Sequence, residues 1–280
     1  MACSSQLSLA EAVSDLETHD PRRLSAGASV SGAMAGRPAA AALGGAYTDE
    51  HHQEFMERGF IHLGQLLPPA ELGALSERLD EVMLGSVSYE GVTFQLDPGG
   101  AYTRSDMGPW EGASTEYRRI EGLECDPLVA AFSQHPLVTQ IHARYYGDTV
   151  RARRPIMMNK PAGRSTPLPW HQDVPTGPRC LPPGTPIVNI WTAIDDADEE
   201  TGCMLMVPGS HKHGILNAGS FTSDANIAKF CTPDAVVPVP VKAGHSVMFN
   251  NLTLHSSGVN SSAGRNRRAM VIRPLFDMTR

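Results

Sequence analysis

From about residue 150 onward the chain is cut into short runs of β-type residues, and this limits its fold more than any other feature. Pro155 to Asn159, Ile187 to Ile194, Cys203 to Val207, Val236 to Val241, Ser246 to Phe249 and Ala269 to Arg273 are each long enough for a strand and too short for a helix. Turn-forming clusters such as Pro182-Pro183-Gly184 and Pro208-Gly209-Ser210 separate them. The residues ahead of them read as helices. Thr48-Asp49-Glu50 has the chemistry of a helix start, and Gly59 ends that helix before the apolar run Phe60 to Leu63. Pro68 and Pro69 open a second helix, with Leu72, Leu75, Leu79, Val82 and Met83 along one face. A third stretch, Pro127 to Tyr146, restarts at Pro136, with Leu128, Phe132, Leu137 and Ile141 expected to face inward. The Gly-rich stretch from Gly85 to Thr115 reads as a loop covering a site.

Helices first, then many short strands with long connections, predict a mainly β fold with flanking α-helices. The expected core is a double-stranded β-helix, a jelly roll of cupin-like form. Residues 47–280 are expected to form one such domain, and the Ala/Ser/Gly-rich residues 1–46 a disordered extension. Arg22, Arg23 and Arg37 leave organelle targeting by that extension open. Glu11, Asp15, Glu17 and Asp20 argue against it, so a cytoplasmic location is the expectation. Five scattered cysteines without a C-x-x-C pair suit reduced thiols better than a disulfide frame or a zinc cluster. A formal charge of −7 disfavours nucleic acid and anionic membranes as partners and makes a small-molecule substrate the expectation. Nothing in the sequence specifies the oligomeric state.

The chemistry concentrates in Trp170-His171-Gln172-Asp173, in His255-Ser256-Ser257 and in Asn260 to Arg268. A His-x-Asp pair with a distant second His is the pattern of a 2-His-1-carboxylate facial triad, which holds non-heme Fe(II) on one side and leaves positions open. Alone the pair is weak, because eleven histidines and thirty acidic residues produce one by accident. His52 and Glu54 form such an accident in a helical pattern, where residues two apart diverge, and that pair reads as a solvated helix face. On a strand, residues two apart share a face and can reach one metal. His255 follows one strand-like run and precedes another, so it is expected at a strand end facing a sheet interior. An Arg twelve residues beyond it suits an anionic cosubstrate on the same iron. Ordinary core histidines remain the competing explanation on composition alone.

Further matches carry a resemblance. They are Met158-Asn159-Lys160-Pro161, Trp191-Thr192-Ala193-Ile194-Asp195-Asp196-Ala197, Glu200-Thr201-Gly202-Cys203, Val207-Pro208-Gly209-Ser210-His211-Lys212 and Arg267-Arg268-Ala269, together with the pieces above. In this order, from about Phe55 to the C-terminus, the chain resembles the phytanoyl-CoA dioxygenase (PhyH) family of Fe(II)/2-oxoglutarate oxygenases. The resemblance implies that His171, Asp173 and His255 ligate Fe(II). It implies that Arg267 grips the far carboxylate of 2-oxoglutarate, a task its planar fork suits. Arg265 and Arg268 compete for that role, Arg265 from the preceding turn and Arg268 from the opposite face. The resemblance also places Ser257, Lys160 and Trp191 at the cosubstrate, and with them Gln172, which on a regular strand would point to the opposite face.

The activity implied is oxidation by O2 with decarboxylation of 2-oxoglutarate to succinate, ascorbate serving as the reductant in vitro. Asp173 favours hydroxylation or a related oxidation over halogenation, because related halogenases carry Gly or Ala there. A secondary metabolite is the expected substrate, with acyl-CoA or phosphonate hydroxylation as the alternative. Arg151, Arg153, Arg154, Arg164 and Arg179 are the cations an anionic substrate would meet, or else a solvated charged edge. Residues 174–184 are expected to rim the pocket. His211, His213 and His245 read as corner, loop and turn residues. A non-catalytic metal-binding jelly roll and a zinc hydrolase are the rival readings.

Overall fold

The computed structural model describes residues 46–103, 106–147, 150–163, 165–173 and 185–276. The proposed rim at 174–184, Arg164, Arg179 and the expected extension up to residue 45 lie outside the described residues.

Helix α1 (Asp49–Arg58) starts where the sequence predicts. The Thr48 hydroxyl accepts from the His51 N–H, and the chain leaves the helix through Gly59 at φ 82°. Strand β1 (Phe60–Gln65) follows. Helix α2 (Pro69–Leu84) carries a proline in its first turn and buries Leu75, Leu79, Val82 and Met83. The third helical stretch is divided into α3 (Pro127–Ser133) and α4 (Pro136–Tyr146). Leu128 departs from its expected inward position and is exposed, while Val129 and Phe132 are buried. The cause is local. The Asp126 carboxylate caps α3 by accepting from the N–H groups of Leu128 and Val129, which sets a helical phase independent of α4.

Strands β2 (Thr93–Leu96), β3 (Tyr117–Glu121), β4 (Val150–Lys160), β6 (Val188–Ala193), β11 (His245–Asn250) and β13 (Arg267–Phe276) join β1 in a seven-stranded sheet, ordered β1-β11-β6-β13-β4-β3-β2. Strands β10 (Val237–Val239), β7 (Met204–Met206), β12 (His255–Ser257) and β5 (Leu168–His171) form a four-stranded sheet in the order β10-β7-β12-β5. The pairings in both sheets are antiparallel. A small hairpin, β8 (Asn217–Ala218) with β9 (Phe221–Thr222), precedes α5 (Asp224–Phe230).

The stretch 85–115 is therefore not all loop. It contains β2, whose Phe94 packs its ring 5.0 Å from that of Tyr117 on β3. With only four residues in β2, the alternation is too short to read from sequence.

Alternation along the large sheet sorts two cores. Phe60, Ile156, Trp191, Ala193, Val247, Phe249, Ala269 and Val271 meet Met204, Met206 and Val239 of the small sheet. Residues one position over, such as Ile61, Met157, Ile190, Met248, Met270 and Ile272, pack against the helices. This is the jelly roll the strand pattern predicts, with α-helices covering the outer face of the larger sheet. Among the described residues no helix is long and apolar enough to cross a membrane.

Candidate metal centre and anion pocket

His255 and His171 are direct cross-strand partners in the β12–β5 pairing, so their rings leave the sheet on one side, with centroids 4.1 Å apart. Asp173 lies two residues beyond β5 and is tied across the chain by its N–H to the carbonyl of Asn251, at 2.7 Å. One carboxylate oxygen then stands 3.8 Å from His171 Nε2 and the other 3.9 Å from His255 Nε2. All three offer ligand atoms within 4.8 Å of one another, the one such group of His, Cys, Asp or Glu among the described residues. The pair His52/Glu54 is occupied otherwise. His52 Nδ1 lies 2.9 Å from the Tyr145 hydroxyl and Glu54 pairs with Arg58 at 2.7 Å, so His52 is half-buried packing, not simply a solvated face.

The backbone prepares both imidazoles. His171 Nδ1 donates to the Pro169 carbonyl and His255 Nδ1 to the Thr253 carbonyl, both at 2.9 Å, which leaves each Nε2 lone pair facing the shared centre. Burial, then the neighbouring His255, lowers His171 to about 3, and burial lowers His255 as well. Burial alone would raise the Asp173 carboxyl, but the Arg273 guanidinium and the two imidazoles outweigh it and bring it to about 2. Of these partners Arg273 is the permanent cation. Two neutral imidazoles and one carboxylate, converging with lone pairs free, are the donor set a divalent iron accepts.

Two residues that the sequence did not single out support Asp173. Asn189 Nδ2 donates to its Oδ2 at 3.0 Å and Arg273 Nη2 to the same oxygen at 2.9 Å. Both were detectable as polar residues in phase with inward apolar ones: Asn189 alternates with Trp191, and Arg273 with Val271 and Ala269.

The second feature is a pair of buried cations. Arg267 and Lys160 are cross-strand partners on the inner face of β13 and β4, at 4% and 5% exposure. Arg267 Nη2 donates to the Gly202 carbonyl at 3.1 Å, its guanidinium lies 5.5 Å from the Trp191 ring, and its Nε has no partner among the described residues. Lys160 Nζ donates to the Thr166 carbonyl at 2.8 Å. Burial lowers Arg267 to about 10. Burial and then the charge of Arg267 lower Lys160 well below the ordinary lysine value. Like charges directly opposite one another are unfavourable, and a buried guanidinium without a carboxylate more so. An anion cures both.

Gly202 belongs to this pocket, because at φ 75° it would place a Cβ 2.8 Å from the carbonyl oxygens of Gly258 and Val259. Asn260 ties the following turn to β4 by donating to the carbonyls of Lys160 and Arg265.

The remaining candidates separate clearly. Ser257 is buried on β12, two residues from His255 and opposite Met204. Gln172 departs from the cosubstrate placement: its amide donates to the carbonyls of Gly214 and Leu252 and accepts from the Leu216 N–H, anchoring the turn before β8. Arg268 faces the helices and binds Asp195 and Asp80, and Arg265 pairs with Asp198 and Glu200 on the exposed turn. His211 bonds the Met56 carbonyl, the His213 ring packs on Phe230, and His245 opens β11. Phe249 lies 5.0 Å from the His255 ring and Phe221 stands edge-on to His171 at 6.3 Å. Tyr102, from the stretch after β2, packs edge-on to Phe221 at 5.1 Å, so that stretch does reach the rings bordering the triad.

Comparison with known proteins gives concordant findings. The profile of the phytanoyl-CoA dioxygenase (PhyH) family matches residues 55–269. The human peroxisomal phytanoyl-CoA dioxygenase is 24% identical over 227 residues, covering 78% of this chain and 65% of its own length. The chain thus spans somewhat less than two thirds of that relative. The crystal structure of AviO1 from Streptomyces viridochromogenes Tue57 superposes with a TM-score of 0.57 at 26% identity, covering 81% of this chain and 93% of that one. The non-heme alpha ketoglutarate dependent carbocyclase SnoK from nogalamycin biosynthesis gives 0.60 at 22% identity, covering 81% and 84%.

Proposed function

The chain belongs to the phytanoyl-CoA dioxygenase (PhyH) family, and on that premise we propose that it is a non-heme Fe(II)/2-oxoglutarate-dependent dioxygenase acting on a small organic molecule. The observation that carries this reading is the conjunction of a convergent His171/Asp173/His255 triad with a buried, carboxylate-free Arg267 on the same inner face. A metal site alone serves many chemistries. A zinc hydrolase has no use for a guanidinium held ready for a second anion, and intact ligands beside that guanidinium favour turnover over a merely structural metal.

His171, Asp173 and His255 would hold the iron, which with 2-oxoglutarate and O2 supplies the oxidising power. The protein's contribution is positional. Arg267 takes the distal carboxylate of 2-oxoglutarate through its free Nε edge, with Lys160 as a second cation and Ser257 and Trp191 lining the same face. The Trp191 ring also lies 5.5 Å from the guanidinium carbon, within reach of a cation–π contact. Asn189 and Arg273 hold the Asp173 carboxylate in one orientation. Phe249 and Phe221 border the imidazoles with apolar rings and limit water there. Asp173 leaves no ligand position for a halide, so the oxidation is a hydroxylation or a desaturation or ring closure. We assign a secondary metabolite as substrate, a reading supported by the likeness to SnoK, a carbocyclase from nogalamycin biosynthesis. Acyl-CoA hydroxylation is the alternative supported by the curated relatives.

The test uses the full chain with Fe(II), 2-oxoglutarate, ascorbate and O2. Succinate release is expected, and Asp173→Ala should abolish it while leaving the circular dichroism unchanged. A zinc-loaded protein that releases no succinate with any of a broad panel of substrates would sink the oxygenase reading.

A further inference from the structure

The like-charge pairing of Arg267 with Lys160 recurs six positions along the same two strands. Arg273 on β13 is the direct partner of Arg154 on β4. Ala269 and Val271 alternate between 267 and 273 and belong to the core between the sheets, so Arg273 and Arg154 project toward that same side. Each is tethered by one carboxylate. Arg273 Nη2 donates to Asp173 at 2.9 Å, while Arg154 binds Glu121, which also binds Arg119. Arg154 and Arg119 thus share the single carboxylate of Glu121, and the one carboxylate that Arg273 holds is that of the triad residue Asp173. The Nε atoms of Arg273 and Arg119 are buried and have no partner among the described residues. Unlike Arg267 and Lys160, this group opens to solvent: the side chains of Arg273 and Arg154 are 35% and 44% exposed.

A like-charge cross-strand pair with unfilled donors is unfavourable until an anion lies between its members. We propose that Arg273 and Arg154, oriented by Asp173 and Glu121, form the recognition site for an oxyanion of the primary substrate, carboxylate or phosphate. Guanidinium forks match both groups bidentately. Because Arg273 touches Asp173 directly, an anion held there lies one arginine side chain from the triad, and the substrate carbon presented to the metal is close to that anion. The inference rests on the oxygenase reading and narrows it: the substrate is a small acid or phosphorylated molecule, and a neutral analogue binds poorly.

The test is calorimetric titration of inorganic phosphate, and separately acetate, into full-length protein loaded anaerobically with Fe(II) and saturating 2-oxoglutarate, so that Arg267 and Lys160 are already engaged. Binding of one or both anions is expected, the preferred one telling phosphate from carboxylate. Arg154→Gln should weaken that binding by roughly 10-fold or more, as for a lost charge-assisted hydrogen bond, and Arg154→Lys should restore part of it. The 2-oxoglutarate affinity should be unmoved by either variant, which a general loss of structure would not allow. If 2-oxoglutarate binds but neither anion does, or if Arg154→Gln leaves anion affinity unchanged, the second site is overturned and the oxygenase reading stands. Failure of 2-oxoglutarate itself to bind removes both.

Discussion

Arg267 and Arg268 are consecutive residues of one strand, similarly buried at 4% and 8%, and their surroundings are opposite. Arg268 turns toward the helices, where Asp195 takes its Nε and one Nη, Asp80 takes the other Nη at 2.6 Å, and the Ser76 hydroxyl and carbonyl take the remaining donors. Arg267 turns between the sheets, where it has one carbonyl, one aromatic ring and an unpartnered Nε. A guanidinium used for structure is neutralised by its own protein. One reserved for a ligand is left short of counter-charge, and folding tolerates that cost because the rest of the core supplies the stability.

The largest effect that would break this comparison lies on the structural side. Arg268→Leu strands Asp195 and Asp80 and should cost about 3 kcal/mol of unfolding free energy by urea titration, the lower end for a broken buried pair because Asp80 is half exposed. The affinity for 2-oxoglutarate should stay within about two-fold. Arg267→Leu should do the reverse. Its 2-oxoglutarate affinity should fall by about 10- to 100-fold, the worth of one or more charge-assisted hydrogen bonds, with apo-protein stability equal or higher. A stability loss matching that of Arg268→Leu would end the distinction. Gly202→Ala should cost about 1–2 kcal/mol through its positive φ and the crowded carbonyls of Gly258 and Val259, and weaken 2-oxoglutarate by displacing the carbonyl that Arg267 holds.

A smaller effect separates a buried histidine of the helical layer from the triad. Burial, with Arg153 beside it, lowers His142 on α4 to about 3, against an ordinary value of 6.5. The unfolded chain therefore takes up this proton first, so the stability His142 contributes is full above about pH 6.5 and declines as pH falls toward 3. The loss should reach about 1 kcal/mol by roughly pH 5.5, and His142→Gln should flatten that acid limb in a melting-temperature series. The smallest effect is expected at Arg265→Ala, whose partners Asp198 and Glu200 are as exposed as it is. Neither melting temperature nor 2-oxoglutarate affinity should move measurably.

Much of this is legible in the sequence. Thr48, Gly59, Pro69 and Pro136 mark helix ends because capping and proline chemistry are local. Strands β4, β6, β7, β10, β11 and β13 are readable because their β-type runs are bounded by turn residues, whereas the two-residue strands β8 and β9 are too short to read. Legibility fails where partners lie far along the chain or where a cap resets the local phase. Strand β2 is held by β3, Leu128 is exposed because Asp126 sets the phase of its helix, and Gln172 is turned to the carbonyls of Gly214 and Leu252.

By itself, then, the sequence determined the first helices and the longer later strands, which rest on residue type and short-range spacing, and through its family resemblance it pointed to His171, Asp173, His255 and Arg267. Only the tertiary structure decided that His255 stands opposite His171, that Lys160 stands opposite Arg267, and that Arg273 and Arg154 repeat the arrangement beside Asp173. Cross-strand register is set by the packing of whole sheets, and a slip of one residue would have turned every one of these side chains to the other face.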